Sequence, residues 1–455
     1  MHTYMGTILV IDLSTGRKYM EPIGADFAEK YLGGNGFAAK LLYDKIKPGT
    51  APFSESNMIV FATGPLNNTI VWGTARGHAA SISPLTEFYG DSNFGGDFAH
   101  MIKRTGYDAI ALYGKAESPV YLSVTDGSVE IKNAADLWGL TVDETIESLR
   151  KKEGPRSECA VIGPAGENGV LFANIICSGK RISAAGRCGL GAVLGSKNCK
   201  GIAVSGTRTP GSFDTKKINE LLTKQYPYLK DNAKFHRKMG TPFFVNLLNN
   251  MGKLPTRNAR YETFDRAAEI SGEIIEERYK TKNTSCKRCP IACGKLVKIT
   301  GGMYENTESK MAEYETIYAF GSMLENSDIT SIFNANKMCD EMGIDTITMG
   351  VTLSYAAELY EKNIIHGDEF PERVKFGNGN DLPDLIRKTA YRTGIGGMLS
   401  LGSWRMSDMY GGEAKNFLYA SKGLEFAGHS VRSLPNMGLG YATSVRGGSH
   451  HDTRP

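Results

Sequence analysis

Gly206-Thr207-Arg208-Thr209-Pro210-Gly211-Ser212 divides the chain. Glycine, proline and hydroxyl residues at this density interrupt both helix and strand, so the segment reads as a linker. On its N-terminal side, short β-branched runs end at glycine turns. On its C-terminal side, apolar residues recur with the helical period. The change of pattern predicts an α+β fold: a β-rich N-terminal domain, residues 1–207, followed by a mostly helical remainder.

Upstream, Thr7–Leu13 (TILVIDL) predicts a strand closed by Ser14-Thr15-Gly16, and Met58–Ala62 predicts another. Val120–Val124 and Ser128–Ile131 flank Thr125-Asp126-Gly127, a hairpin signal. Ala160–Gly163 and Gly169–Asn174 predict a further pair of strands, with short helices at 36–46 and 98–104. Downstream, helices are predicted over 216–230, 242–251, 312–325, 328–342, 346–362, 382–393 and 395–410, the fourth of them capped at Ser327-Asp328. No internal repeat is visible.

Composition narrows the class. The 455 residues are 41% hydrophobic and 22% charged, which excludes wholesale disorder. A net charge of +4 gives no case for a nucleic-acid surface. No apolar run approaches the roughly 18 residues that a membrane span requires, and the N-terminus lacks the basic and apolar regions of a signal peptide. Eight cysteines in a chain of this length do not read as a disulfide framework; their use points to a reducing, cytoplasmic setting. Glycine, at 53 residues, is the outlier, and calls for tight turns and close backbone approach.

Three of the cysteines form Cys286-Lys-Arg-Cys289-Pro-Ile-Ala-Cys293. Thiolates spaced CxxCxxxC can converge on a soft metal centre. An iron–sulfur cluster with a distant fourth ligand, a three-cysteine zinc site completed by a distant histidine, and chance clustering of buried thiols all meet the spacing. The other cysteines are singletons, for which a small buried residue is the plain reading.

Glycine clusters join polar or basic residues at Leu32–Phe37, Arg76-Gly77-His78, Ser92–Asp97 and Ala184–Gly191. That is the equipment for a phosphate-bearing heteroaromatic ligand, because glycine admits close backbone approach and arginine forks onto oxyanions. Each is also an ordinary turn. Glu313-Tyr314-Glu315 opens an apolar helix, where acidic residues favour the first turn. Asp340–Asp345 spans a helix stop glycine, and His450-His451 sits in a glycine-rich loop.

Together these segments resemble, in order and over essentially the whole chain, the tungsten-containing aldehyde:ferredoxin oxidoreductase family. The resemblance implies a β-rich N-terminal saddle that carries a bis-pterin cofactor of tungsten or molybdenum, under mostly helical domains. It assigns 208–415 to a helical domain with the cysteine motif, and 416–455 to the opening of a C-terminal one. Arg76, Asn93, Gly95, Ala184 and Arg187 would cradle the pterin, and Asp340, Gly343, Ile344 and Asp345 would hold one pterin through a DxxGLD-type motif with Ile for Leu. Cys286, Cys289 and Cys293 would be three ligands of a [4Fe–4S] cluster, and Glu315 and His450 would be the acid–base pair. Mg²⁺ bridging the pterin phosphates belongs to the same implied set.

The implied activity is oxidation of aldehydes to carboxylic acids, with electrons leaving through the cluster to ferredoxin or a partner subunit, in a homodimer or hetero-oligomer. Two other readings are a catalytic subunit of a related reductase, such as an aromatic acyl-CoA reductase, and a truncated non-catalytic cofactor-binding homologue. The resemblance places the fourth cluster cysteine and a second DxxGL-type motif beyond Pro455, so the chain is expected to be truncated or continued by a second polypeptide. Asn334-Ala-Asn-Lys337 stands where related enzymes carry an ExxH metal-bridging pair, so no bridging metal is expected there. Ser449 stands in place of a cysteine before the histidine.

Overall fold

The computed structural model describes residues 2–212, 214–367 and 374–452; the terminal Thr453-Arg454-Pro455 of the sequence reading lies outside them. The β-rich half forms two six-stranded sheets. The first runs Lys18–Pro22, Thr7–Asp12, Ala109–Tyr113, Ile59–Thr63, Gly77–Ile82, Tyr89–Phe94. The second runs Val129–Asn133, Val120–Thr125, Cys199–Ser205, Glu158–Val161, Ile175–Cys177, Ser183–Ala185.

The two sheets share one topology. Each begins with a hairpin, places its last strand parallel to its first, and continues antiparallel to the other edge. Each has a short helix before that last strand, Phe98–Arg104 and Leu190–Ser196. This duplication is invisible in the sequence, since strand pairing constrains only alternation and turn chemistry.

Alternation sets the layers. Leu9 and Ile11 face a core shared with Phe61, Phe94, Phe98, Leu122, Ile175, Val193 and Val204, so the two sheets bury one face against common helices. Ile8 and Val10 face the helix Asn35–Lys45 through Phe37 and Leu41. Tyr121, Val161 and Ala203 face the helix Val142–Glu153. That last helix went unread, although its Thr141/Glu144 capping box is a start signal.

Gly169–Asn174 is not a strand. Its backbone is engaged by the helical half: Asn174 N donates to Gly343 O at 2.8 Å and Asp345 N donates to Phe172 O at 3.1 Å. The strand is Ile175–Cys177, directly after it. Gly189 fixes this junction. It lies at φ +68°, and a Cβ there would sit 1.9 Å from Leu171 O. Gly189→Ala is expected to destabilise the protein by about 2 kcal/mol or more, measured by denaturant unfolding, since both strain and backbone overlap oppose it.

In the helical half Thr346–Glu361 runs through the core, with every residue from Ile347 to Leu359 buried. Gly350 brings it against Tyr314–Phe320, where a Cβ would lie 2.6 Å from the Ala319 carbonyl. The predicted helix 312–325 ends at Gly321 and gives way to a 3₁₀ turn, Ser322–Leu324. The predicted helix 395–410 breaks into Gly396–Leu399 and Gly402–Tyr410. Lys280–Thr284, Gly294–Lys298 and Glu308–Lys310 form a three-stranded sheet that the sequence did not suggest, with the cysteine motif as the turn between its first two strands. Among the described residues no helix is long and apolar enough to cross a membrane.

Candidate functional site

A cavity of about 740 Å³ opens where the strand ends of both sheets meet the helical half. The sheets supply Arg76, Asn93, Ala184 and Arg187; the helices supply Glu315, Asp340 and Asp345; the C-terminal segment supplies His450. Cys286 and Cys293 also line it. Gly95, Gly343, Ile344 and Cys289 stand behind the wall or outside it.

Glu315 lies in the first turn of Tyr314–Phe320, whose packing on Thr346–Glu361 is tied by Thr316 Oγ1 to Thr346 Oγ1 at 2.8 Å. Gly428 N donates to Glu315 Oε2 at 2.7 Å. Oε1 faces His429 Nε2 at 3.4 Å and His450 Nδ1 at 3.7 Å. Burial would push the Glu315 carboxyl up, but His450, His429 and the Gly428 N–H together hold it far below the usual carboxylate range. A carboxylate held in this way, bonded by one backbone N–H and faced by two imidazoles, is placed to orient those rings toward the cavity.

Asp340 and Asp345 differ in function. Asp340 pairs with Lys310 at 3.0 Å and borders the cavity. Asp345 caps Thr346–Glu361 by accepting from Ile347 N and Thr348 N. Between them Gly343, at φ +77°, ends Ile329–Met342, and buried Ile344 bridges Ala173. The Asp340–Asp345 motif thus docks the helices on the β-rich half.

Arg187 is 6% exposed, and protein atoms take up its donors. Nε donates to Asp345 at 3.2 Å, Nη1 to Gly448 O at 2.9 Å and Nη2 to Glu425 O at 2.8 Å. It pins the segment that carries His429 and His450. Arg76 behaves oppositely: it is exposed, and its guanidinium makes no ion pair or side-chain hydrogen bond among the described residues. Asn93 Oδ1 lies 3.0 Å from His78 Nδ1, while His78 Nε2 lies 2.9 Å from Asp91. Arg446 completes that group through Asp91 and Asp452. The Leu32–Asn35 segment opens onto an adjoining crevice of about 310 Å³ that shares Arg76, Asn93 and Arg446.

The three motif cysteines are free thiols. Gly95 lets Cys286 approach the sheets, since a Cβ there would fall 2.9 Å from its Sγ, and Gly95 N donates to Ser183 Oγ at 2.7 Å. Arg181 reaches Cys293 Sγ at 3.7 Å and pairs with Glu313. Cys289 faces outward into a groove beside Trp72. Among the described residues no three His, Cys, Asp or Glu side chains already converge as a metal site.

Arg181, His429 and Arg446 were missed by sequence reasoning, and Glu313 was read only as an acidic first-turn residue. Glu313 had a local signal, two residues before Glu315. The others are brought in by the fold over long sequence distances.

The residues 8–206 match the family model for the aldehyde ferredoxin oxidoreductase N-terminal domain, and 217–455 match the model for domains 2 and 3 of the same family. The chain is 39% identical to a tungsten-containing aldehyde ferredoxin oxidoreductase of Thermococcus kodakarensis, over 99% of this chain and 74% of that protein. It is 30% identical to the WOR-like subunit of an aliphatic sulfonate oxidoreductase of Pyrococcus furiosus, over 100% of this chain and 76% of that one. Among solved structures it is similar to the active-site complex BamBC of benzoyl coenzyme A reductase with 1,5-dienoyl-CoA: TM-score 0.82, 27% identity, 94% of this chain and 66% of that chain. The chain belongs to the aldehyde ferredoxin oxidoreductase family, a family of oxidoreductases.

Proposed function

We propose that the chain oxidises aldehydes to carboxylic acids at a bis-pterin tungsten centre seated in the 740 Å³ cavity. The observation that carries the reading is the placement of Glu315 and His450 on one wall of the cavity whose other walls hold Arg76, Asn93, Ala184 and Asp340. The wall fits such a group. Arg76 has its guanidinium available to an oxyanion, and Gly186 turns open backbone inward, with only Ala184 Cβ within 4 Å of where its side chain would be. Buried Arg181 Nε has no hydrogen-bond partner among the described residues. Asn93 and Ala184 line the same wall and would help to hold the group. In this reading residues 1–207 form the cradle, and 208–415 with 416–455 close over it.

The bound centre supplies the two-electron redox chemistry, and the protein supplies orientation and charge. His450 holds or donates the proton at the aldehyde oxygen. Glu315, fixed as an anion, stabilises the imidazole in its protonated form. Phe244, Leu248, Tyr314 and Met437 line the cavity and exclude water from part of it. Cys286, Cys289 and Cys293 would hold a [4Fe–4S] cluster, with Cys289 on the outward side for transfer to ferredoxin or a partner subunit.

Anaerobically prepared protein is expected to contain tungsten, about four irons per chain and aldehyde-dependent viologen-reducing activity. One equivalent of zinc without iron would overturn the cluster assignment, and absence of aldehyde oxidation in tungsten-loaded protein would overturn the activity. The likeness to the BamBC complex favours a second reading, a reductase subunit acting on an aromatic acyl thioester. Viologen reduction driven by a cyclic dienoyl-CoA, and not by aldehydes, would select it.

A further inference from the structure

His429 was singled out by no motif, yet it lies closer to Glu315 than His450 does. The loop that carries it is built for that approach. Gly428 sits against two tyrosines: a Cβ there would fall 2.7 Å from the Tyr318 ring and 3.0 Å from the Tyr314 ring. Tyr314 Oη donates to Gly428 O, and Ala427 N donates to Gly448 O at 3.3 Å. With the backbone pressed down in this way, the Gly428 N–H bonds one carboxylate oxygen and His429 Nε2 stands 3.4 Å from the other.

The two imidazoles compete for one oxygen. The His429 and His450 rings stand 5.5 Å apart, tilted by 43°, with Glu315 Oε1 beside both. A buried carboxylate demands compensation from its neighbours. Contact with His429 holds Oε1 at the place from which it also meets His450 Nδ1, and the His450 ring lines the cavity.

We propose that His429 is a positioning residue for the acid–base pair: together with the Gly428 N–H it fixes the Glu315 carboxylate, so that His450 faces the cavity. The proposal rests on the aldehyde-oxidising reading for its kinetic arm but not for its spectroscopic arm. The ionisable groups around Glu315 are His429 and His450, with Tyr314, Tyr318 and Tyr419 on the elements packed against it.

The test compares His429→Phe, which removes the donor, with His429→Gln, which keeps one near the Nε2 position. In tungsten-loaded protein His429→Phe is expected to lower kcat by about 10- to 100-fold with KM within about twofold, and His429→Gln to recover most of the loss. In the same protein without turnover, the infrared carboxylate band assigned by Glu315→Gln difference is expected to shift in His429→Phe and to return toward its wild-type position in His429→Gln. Wild-type kcat and an unmoved Glu315 band in His429→Phe would overturn the proposal. If wild-type protein oxidises no aldehyde, the functional reading fails, and the infrared shift alone decides the role of His429. If His429→Phe does not hold tungsten, His429→Asn, whose shorter amide falls short of Glu315, replaces it: kcat and an infrared band equal to those of His429→Gln would then refute the proposal.

Discussion

Glu315→Gln is expected to lower aldehyde-dependent turnover by about 10²- to 10⁴-fold, the range for loss of a positioned acid–base component, while tungsten and iron contents stay at wild-type levels. The substitution keeps the shape of the side chain and its acceptor toward Gly428 N. It removes the negative charge between His429 and His450. Without that charge the protonated imidazole at His450 loses its counter-ion, so the defect falls on kcat more than on KM. His450→Gln should fall in the same range, and the double variant should lose little more than either single one, because residues acting as a unit are not additive. Near-wild-type turnover in both single variants would remove the pair from the mechanism.

Arg187→Met is expected to cost about 3–5 kcal/mol of unfolding free energy, the usual penalty when one partner of a buried charged network is removed. Asp345 would keep its cap bonds but lose its cation, and the carbonyls of Glu425 and Gly448 would lose their donor. Those carbonyls belong to the two segments that deliver His429 and His450. Activity should therefore fall even at temperatures where the variant remains folded. Arg187→Lys should recover only part of the stability, since one ammonium cannot reproduce a fork reaching three acceptors. Denaturant midpoints and turnover of the two variants, measured together, check both statements.

Much of the fold was legible before the structure. The linker at Gly206–Ser212 follows directly on the last strand of the β-rich half, Cys199–Ser205. The β-branched apolar run Thr7–Leu13 located an interior strand, and Asp328 does cap its helix, accepting from Thr330 N. Gly169–Asn174 misled because a buried apolar run looks like a strand whether its backbone partners lie in a sheet or in another domain. The helices 312–325 and 395–410 were overextended because side-chain periodicity persists through a glycine that turns the backbone.

The candidate site was legible in the same uneven way. The three cysteines, Glu315 and the Asp340–Asp345 motif are local patterns, and local patterns survive in sequence. Three outcomes were decided only by tertiary packing. Arg187 is a pin whose donors are spent on the protein, Arg76 is the arginine left available, and His429 shares the carboxylate with His450. The sequence by itself determined the α+β division, the order of the motifs and the family they resemble, because these depend on residue type and spacing. Which of the charged groups are satisfied by the protein, and which are left to meet a ligand, depends on atoms hundreds of positions apart reaching within a few ångströms. That could come only from the fold.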